Sequence, residues 1–91
     1  MAELTKQLHH GIFKYGDVVR LTRAVKGSGG KRYKFVGAVS EDEASDPLYY
    51  ELIEMGRGQF RSIRPEYVVK DVKASKDAQA RIAAKQVSTN G

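Results

Sequence analysis

Gly27-Ser28-Gly29-Gly30-Lys31 is the stretch whose residue types come nearest to a phosphate-binding loop. Such a loop cradles phosphate with backbone N–H groups, needs Ser or Thr after the lysine, and opens a helix whose N-terminus faces the anion. Here Arg32 follows Lys31 and the chain continues into a strand-like run, so the segment reads as a basic connecting loop between strands. His9-His10 are adjacent, which is not a chelating spacing, and no cysteine or neighbouring carboxylate completes a metal site. Glu41-Asp42-Glu43 with Asp46 offers hard oxygen ligands, but calcium loops alternate their ligands around a sharp glycine turn, and this run has no glycine. The serines and two histidines fall in no nucleophile motif, and a domain this small leaves little room for a closed substrate pocket. The expectation is a non-catalytic protein without a cofactor or bound metal.

Charge is the more telling pattern. The 91-residue chain has a net charge of +5, but the charge is segregated along it. Residues 12–39 carry seven bases (Lys14, Arg20, Arg23, Lys26, Lys31, Arg32, Lys34) against Asp17 alone. Residues 40–56 carry six acids (Glu41, Asp42, Glu43, Asp46, Glu51, Glu54) and no base. Residues 57–73 return to +3, and a folded domain could display this as a basic face and an acidic edge. Two function classes follow. Arg20, Lys26, Lys31, Arg32, Lys34, Arg61 and Arg64, interleaved with Tyr33, Phe60 and Tyr67, could meet phosphates and stack on unpaired bases, with Arg20, Lys34 and Arg61 projecting outward. Alternatively Glu41, Asp42, Glu43, Tyr49 and Ile82 could form a protein-interaction surface made of the acidic loop, the third strand and a C-terminal helix. Nucleic acid is the first expectation for a partner. A larger host or phage protein is the alternative.

The elements that must position these residues are short. Val18–Thr22 alternates apolar and mixed positions and reads as a strand. Arg32–Val39 is the second, with Tyr33, Phe35 and Val39 on one parity and Gly37 marking a bulge or bend. Leu48–Met55 is dense in β-formers, and Gly56-Arg57-Gly58 is tight enough to make a hairpin with Gln59–Ile63. Pro65 interrupts the ladder for one turn before a fifth strand at Val68–Val72. Ser75 is a favoured N-cap for a last helix running to Gln86, with Ile82 its only large apolar residue. Residues 1–11 read as a flexible leader, with a helical turn over Leu4–Leu8. There is no apolar run of membrane-helix or signal-peptide length, and no cysteine for a disulfide, so the reading is a soluble cytoplasmic protein.

Gly16-Asp17-Val18-Val19, Gly56-Arg57-Gly58 and Ile63-Arg64-Pro65-Glu66-Tyr67-Val68 together resemble the Src-homology-3-like small barrel. The resemblance implies an all-β, five-stranded SH3-like barrel over residues 12–73; beyond it, residues 74–91 read from their own pattern as a short C-terminal α-helix and tail. It implies a binding module but no single ligand class, since the fold hosts many functions. Apart from the resemblance, the expectation is a monomer or weak dimer, the latter if the third strand lies at an edge and pairs across two copies. The peptide-binding branch of that fold uses a tryptophan at the start of its fourth strand and an acidic first loop. This chain has no tryptophan, places Gln59-Phe60 there, and makes its first loop basic, so proline-rich recognition is not implied. In size and charged single-domain build the chain is similar to small phage-encoded accessory proteins.

Overall fold

The computed structural model describes residues 4–22, 25–27 and 29–89, with the side chains of the final helix as far as Lys85. The first three residues of the expected leader, Ser28 of the glycine-rich loop, and the Asn90-Gly91 tail lie outside the described residues. Within them the chain forms six strands: β1 (Thr5–Gln7), β2 (Val18–Leu21), β3 (Tyr33–Ser40), β4 (Tyr49–Glu54), β5 (Phe60–Ile63) and β6 (Val68–Lys70). A 3-10 turn at Pro65–Tyr67 precedes β6, and one helix, α1 (Val72–Thr89), closes the chain. All pairings are antiparallel, in the order β5-β4-β3-β2-β6, with β1 added beside β3. The path ends at β5 and β6, which do not pair, so the sheet is not closed into a barrel. Among the described residues no helix is long and apolar enough to cross a membrane.

β2 to β6 occupy the five runs read as strands. β1 does not match its expectation: Thr5, Lys6 and Gln7 pair with Ser40, Val39 and Ala38, where a helical turn in a leader was expected. The reason is tertiary. β2 covers β3 only at Tyr33 and Lys34, which leaves the far half of β3 with free ladder groups. β1 satisfies them although its own three residues carry no apolar pattern. Gly37 makes the approach possible, since a Cβ there would lie 2.5 Å from Lys6 Cε and 3.3 Å from the Gln7 carbonyl.

The bulge expected at Gly37 is present, as a register shift between Phe35 and Gly37 against β4. One extra residue reverses the parity that follows it. Ala38 therefore takes the parity of Tyr33 and Phe35 and joins their cluster with Phe13, Val19, Tyr50, Leu52 and Val68, while Val39, also buried, falls on the other parity. Phe13 stacks on Phe35 at 5.5 Å between centroids, and Tyr50 meets both rings edge-on at 5.2 Å. Such ring pairs add about 0.5–1.5 kcal/mol each to the area they bury.

The helix also begins earlier than its sequence predicts. Asp71, rather than Ser75, is the cap: its Oδ1 accepts the Ala74 N–H at 3.1 Å and its carbonyl accepts the Ser75 N–H at 2.8 Å. Ser75 is instead a buried anchor. Its Oγ accepts the Val18 N–H and donates to the Val18 carbonyl, both at 2.9 Å, extending the edge of β2 after β6 has turned into helix. Ser75, Ala78, Gln79 and Ile82 recur at helical spacing on the docked face, whereas residues 83–85 are exposed. The helix is thus held through its first three turns.

Candidate binding surfaces

Asp17 is the centre of the framework that fixes these surfaces. It is 1% exposed, yet it is reached from three separate segments: the Lys14 N–H at 2.8 Å, Gln79 Nε2 of α1 at 2.9 Å and Lys70 Nζ of β6 at 3.2 Å. Burial opposes its charge. The bonds from Gln79, from the Lys14 N–H and from Lys70 outweigh that burial and hold the carboxyl below its ordinary value. Lys70 also donates to the Ile12 carbonyl at 2.7 Å, so the pair is fully engaged and reads as a latch between loop, strand and helix.

A cleft of about 490 Å³ opens where the β3–β4 loop meets the 3-10 turn. Its lining is His10, Asp46, Pro47, Leu48, Tyr50, Arg64, Pro65 and Glu66. Local chemistry shapes both walls. On one, Asp42 Oδ1 accepts the N–H groups of Ala44 and Ser45 at 2.9 and 2.8 Å, an Asx turn that folds the acidic loop back before Pro47. The Leu48 N–H then bonds the Val39 carbonyl at 2.7 Å and starts β4, leaving the Leu48 side chain 46% exposed. On the other, Pro65 opens the 3-10 turn, which the Tyr67 N–H closes on the Arg64 carbonyl at 3.0 Å. His10 Nδ1 and the Tyr50 hydroxyl share a hydrogen bond of 2.9 Å at the base, and burial pushes the Tyr50 phenol above its ordinary value.

The seven cations expected to contact nucleic acid do not form one face. Arg20 and Lys31 line a concavity of about 360 Å³ with Leu21, Thr22, Gly29, Gly30 and Val69, and Lys26 is exposed in the same loop region. Lys31 is 3.1 Å from the buried carboxylate of Glu54. Lys34 sits 4.8 Å over the Tyr15 ring. Arg32 lies in a groove beside Asp71 and Asp77. Arg64 belongs to the cleft at the 3-10 turn. Arg61 was expected to project outward, but it pairs with the core residue Leu52 and so faces the inner side, where Nη1 donates to the Tyr33 hydroxyl at 3.3 Å. As an edge-strand residue it can do this because its head still reaches water.

The alternative set is divided as well. Glu41, Asp42 and Glu43 are all exposed, and Asp42 is held below its ordinary value by its bonds to Ser45 and Ala44. Tyr49 is half-buried opposite Val39. Ile82 packs at Gly16, where a Cβ would come within 2.5 Å of its Cδ1, so it holds the helix to the sheet. Sequence reasoning did not single out His10, Pro47, Leu48, Tyr50 or Pro65 as a group. One signal was present: the chain has two prolines, and both line this cleft. No protein-family model, curated protein or solved structure matches the chain.

Proposed function

We propose that this chain is a non-catalytic protein-interaction module of SH3-like build, whose cleft between the β3–β4 loop and the 3-10 turn receives a short segment of a partner protein. Support for the SH3-like reading is the strand order: a β3-β4-β5 meander, β2 beside β3, and β6 returning to β2 after a single 3-10 turn. The observation that carries the function is the cleft itself, in which Pro47, Leu48 and Pro65 offer apolar contact among the charged side chains of Asp46, Arg64 and Glu66, beside an acidic loop. Among the described residues Glu41, Glu43 and Asp46 form no ion pair, so the chemistry favours an apolar segment flanked by basic residues.

The test is selection of peptides on the full chain, followed by anisotropy titration of the selected peptide against wild type and Leu48→Glu. Leu48→Glu puts a charge on an exposed wall and leaves the core alone, so the fold survives while affinity falls by about tenfold or more. Peptide binding that ignores Leu48→Glu overturns the assignment. The concavity at Arg20 and Lys31, with Lys26 nearby, supports a second reading as a nucleic-acid module. That reading requires affinity for labelled single-stranded DNA or RNA that drops steeply with salt and is lost when Arg20, Lys26 and Lys31 are neutralised.

A further inference from the structure

Strand β5 ends the sheet, and among the described residues nothing pairs with its outer edge. The Glu54 N–H donates to the Gln59 carbonyl, and the register sets Leu52 opposite Arg61 and Tyr50 opposite Ile63. Antiparallel ladders alternate, so Gln59, Arg61 and Ile63 spend their backbone groups on β4, while Phe60 and Ser62 turn theirs outward. Those free N–H and C=O groups are a template for an added strand.

The side chains along this edge carry a single sign. Residues 57–64 contain Arg57, Arg61 and Arg64 and no acid. Arg57 and Arg64 are exposed at the two ends, and Arg57 Nε is only distantly paired, 3.9 Å from Glu54. Arg61 gives one bond to Tyr33 and keeps further donors at the rim. Phe60, beside the free groups, is 70% exposed. A second copy is a poor occupant, because two β5 edges would set three arginines against three, and like charges across a strand pair repel. A neutral strand would leave the arginines unanswered, which is how edges resist indiscriminate pairing.

We propose that the open edge of β5 docks an acidic extended peptide by strand addition, with the Phe60 and Ser62 backbone supplying the ladder and Arg57, Arg61 and Arg64 selecting carboxylates. This site shares Arg64 with the rim of the cleft, but its ladder at Phe60 and Ser62 and its cations Arg57 and Arg61 lie outside the cleft, so it does not depend on the cleft reading. Its partner would place acids beside Arg61 and at both ends, and an apolar residue beside Phe60.

The experiment uses the full chain, isotope-labelled, and a blocked peptide of about ten residues alternating glutamate with threonine and valine. Binding is expected to slow exchange of the Phe60 and Ser62 amides specifically. Neutralising the three arginines (Arg57→Gln, Arg61→Gln, Arg64→Gln) is expected to weaken it by about tenfold or more. Ser62→Pro removes an outward N–H that the β4 ladder does not use, a position where edge strands tolerate proline, and is expected to abolish binding while the rest of the amide spectrum keeps its pattern. The arginine variant decides the matter if Ser62→Pro disturbs the sheet. Arg57→Gln with Arg61→Gln, neither of which lines the cleft, should weaken this binding, while Leu48→Glu should leave the protection of Phe60 and Ser62 in place, which separates it from the cleft. Equal affinity for the glutamine version of the peptide overturns the proposal. So does protection elsewhere, concentration-dependent dimerisation through β5, or a single-stranded DNA that protects the same amides more tightly.

Discussion

Replacing Ser75 by alanine sets two physical effects of opposite sign against each other. Ser75 is 1% exposed and sits in the second turn of α1, with its Oγ bonded to both backbone groups of Val18 at 2.9 Å. The Val18 carbonyl keeps a second donor, the Asp71 N–H at 2.9 Å, so the substitution orphans one buried group, the Val18 N–H. Leaving a buried donor unpaired costs about 1–3 kcal/mol. Against this, alanine is the better helix former, by roughly 0.5 kcal/mol. The net expectation is a loss of about 0.5–2.5 kcal/mol. For a domain of this size each kcal/mol lowers Tm by about 4–8 °C. Urea denaturation at constant m gives the loss directly, and hydrogen exchange locates it: the Val18 amide, slow in wild type, becomes fast in the variant. An unchanged or more stable Ser75→Ala protein with a protected Val18 amide would refute the anchor, because helix propensity alone would then account for the result.

Two further outcomes follow from the same framework. Because the folded Asp17 carboxyl is held below its ordinary value, the unfolded chain binds more protons there as pH falls. Its stabilisation is therefore fully present above the ordinary aspartate value of about 3.9 and disappears as pH drops through the lower folded value. Asp17→Asn should be less stable than wild type by about 1–3 kcal/mol near neutral pH. The gap should narrow in acid, with Asp42 titrating alike in both proteins and cancelling, and a gap that stays constant down to about pH 2 would contradict the latch. Gly16 has φ +94° and Ile82 Cδ1 within 2.5 Å of where a Cβ would stand, so Gly16→Ala should cost about 1–2 kcal/mol in backbone strain plus displacement of Ile82. A double-mutant cycle checks the contact: Ile82→Ala should cost less beside Gly16→Ala than in wild type, and additive losses would mean that the helix does not rest on Gly16.

The strands with strong local patterns are legible in the residues alone. Alternation at Val18–Leu21, β-formers at Tyr49–Glu54, the glycine turn at Gly56-Arg57-Gly58 and the break at Pro65 are properties of neighbouring residues. Gly37 announces its own bulge. The parity beyond the bulge is not legible, because which of Ala38 and Val39 joins the Tyr33–Phe35 cluster depends on how β4 re-registers after the extra residue. β1 is invisible for a related reason: Thr5–Gln7 has no apolar period, and its stability comes from ladder groups on β3 that β2 leaves free. Ser75 looks like a cap because serine suits caps, and only Asp71 in place shows that the position is taken.

By itself the amino-acid sequence determined the β-rich class, the turn positions, the terminal helix and the segregation of charge along the chain. Those follow from interactions within a few residues and from simple counting. The tertiary structure alone decided which charges meet. It paired Lys31 with Glu54 and set Lys34 over Tyr15, sent Arg32 and Arg64 to different grooves, and gathered two distant prolines with Leu48 and Tyr50 into a cleft. Among the described residues it also left β5 with an unpaired, arginine-lined edge. Binding surfaces combine groups that strand order and register bring together, and neither is encoded in the spacing of the residues that form them.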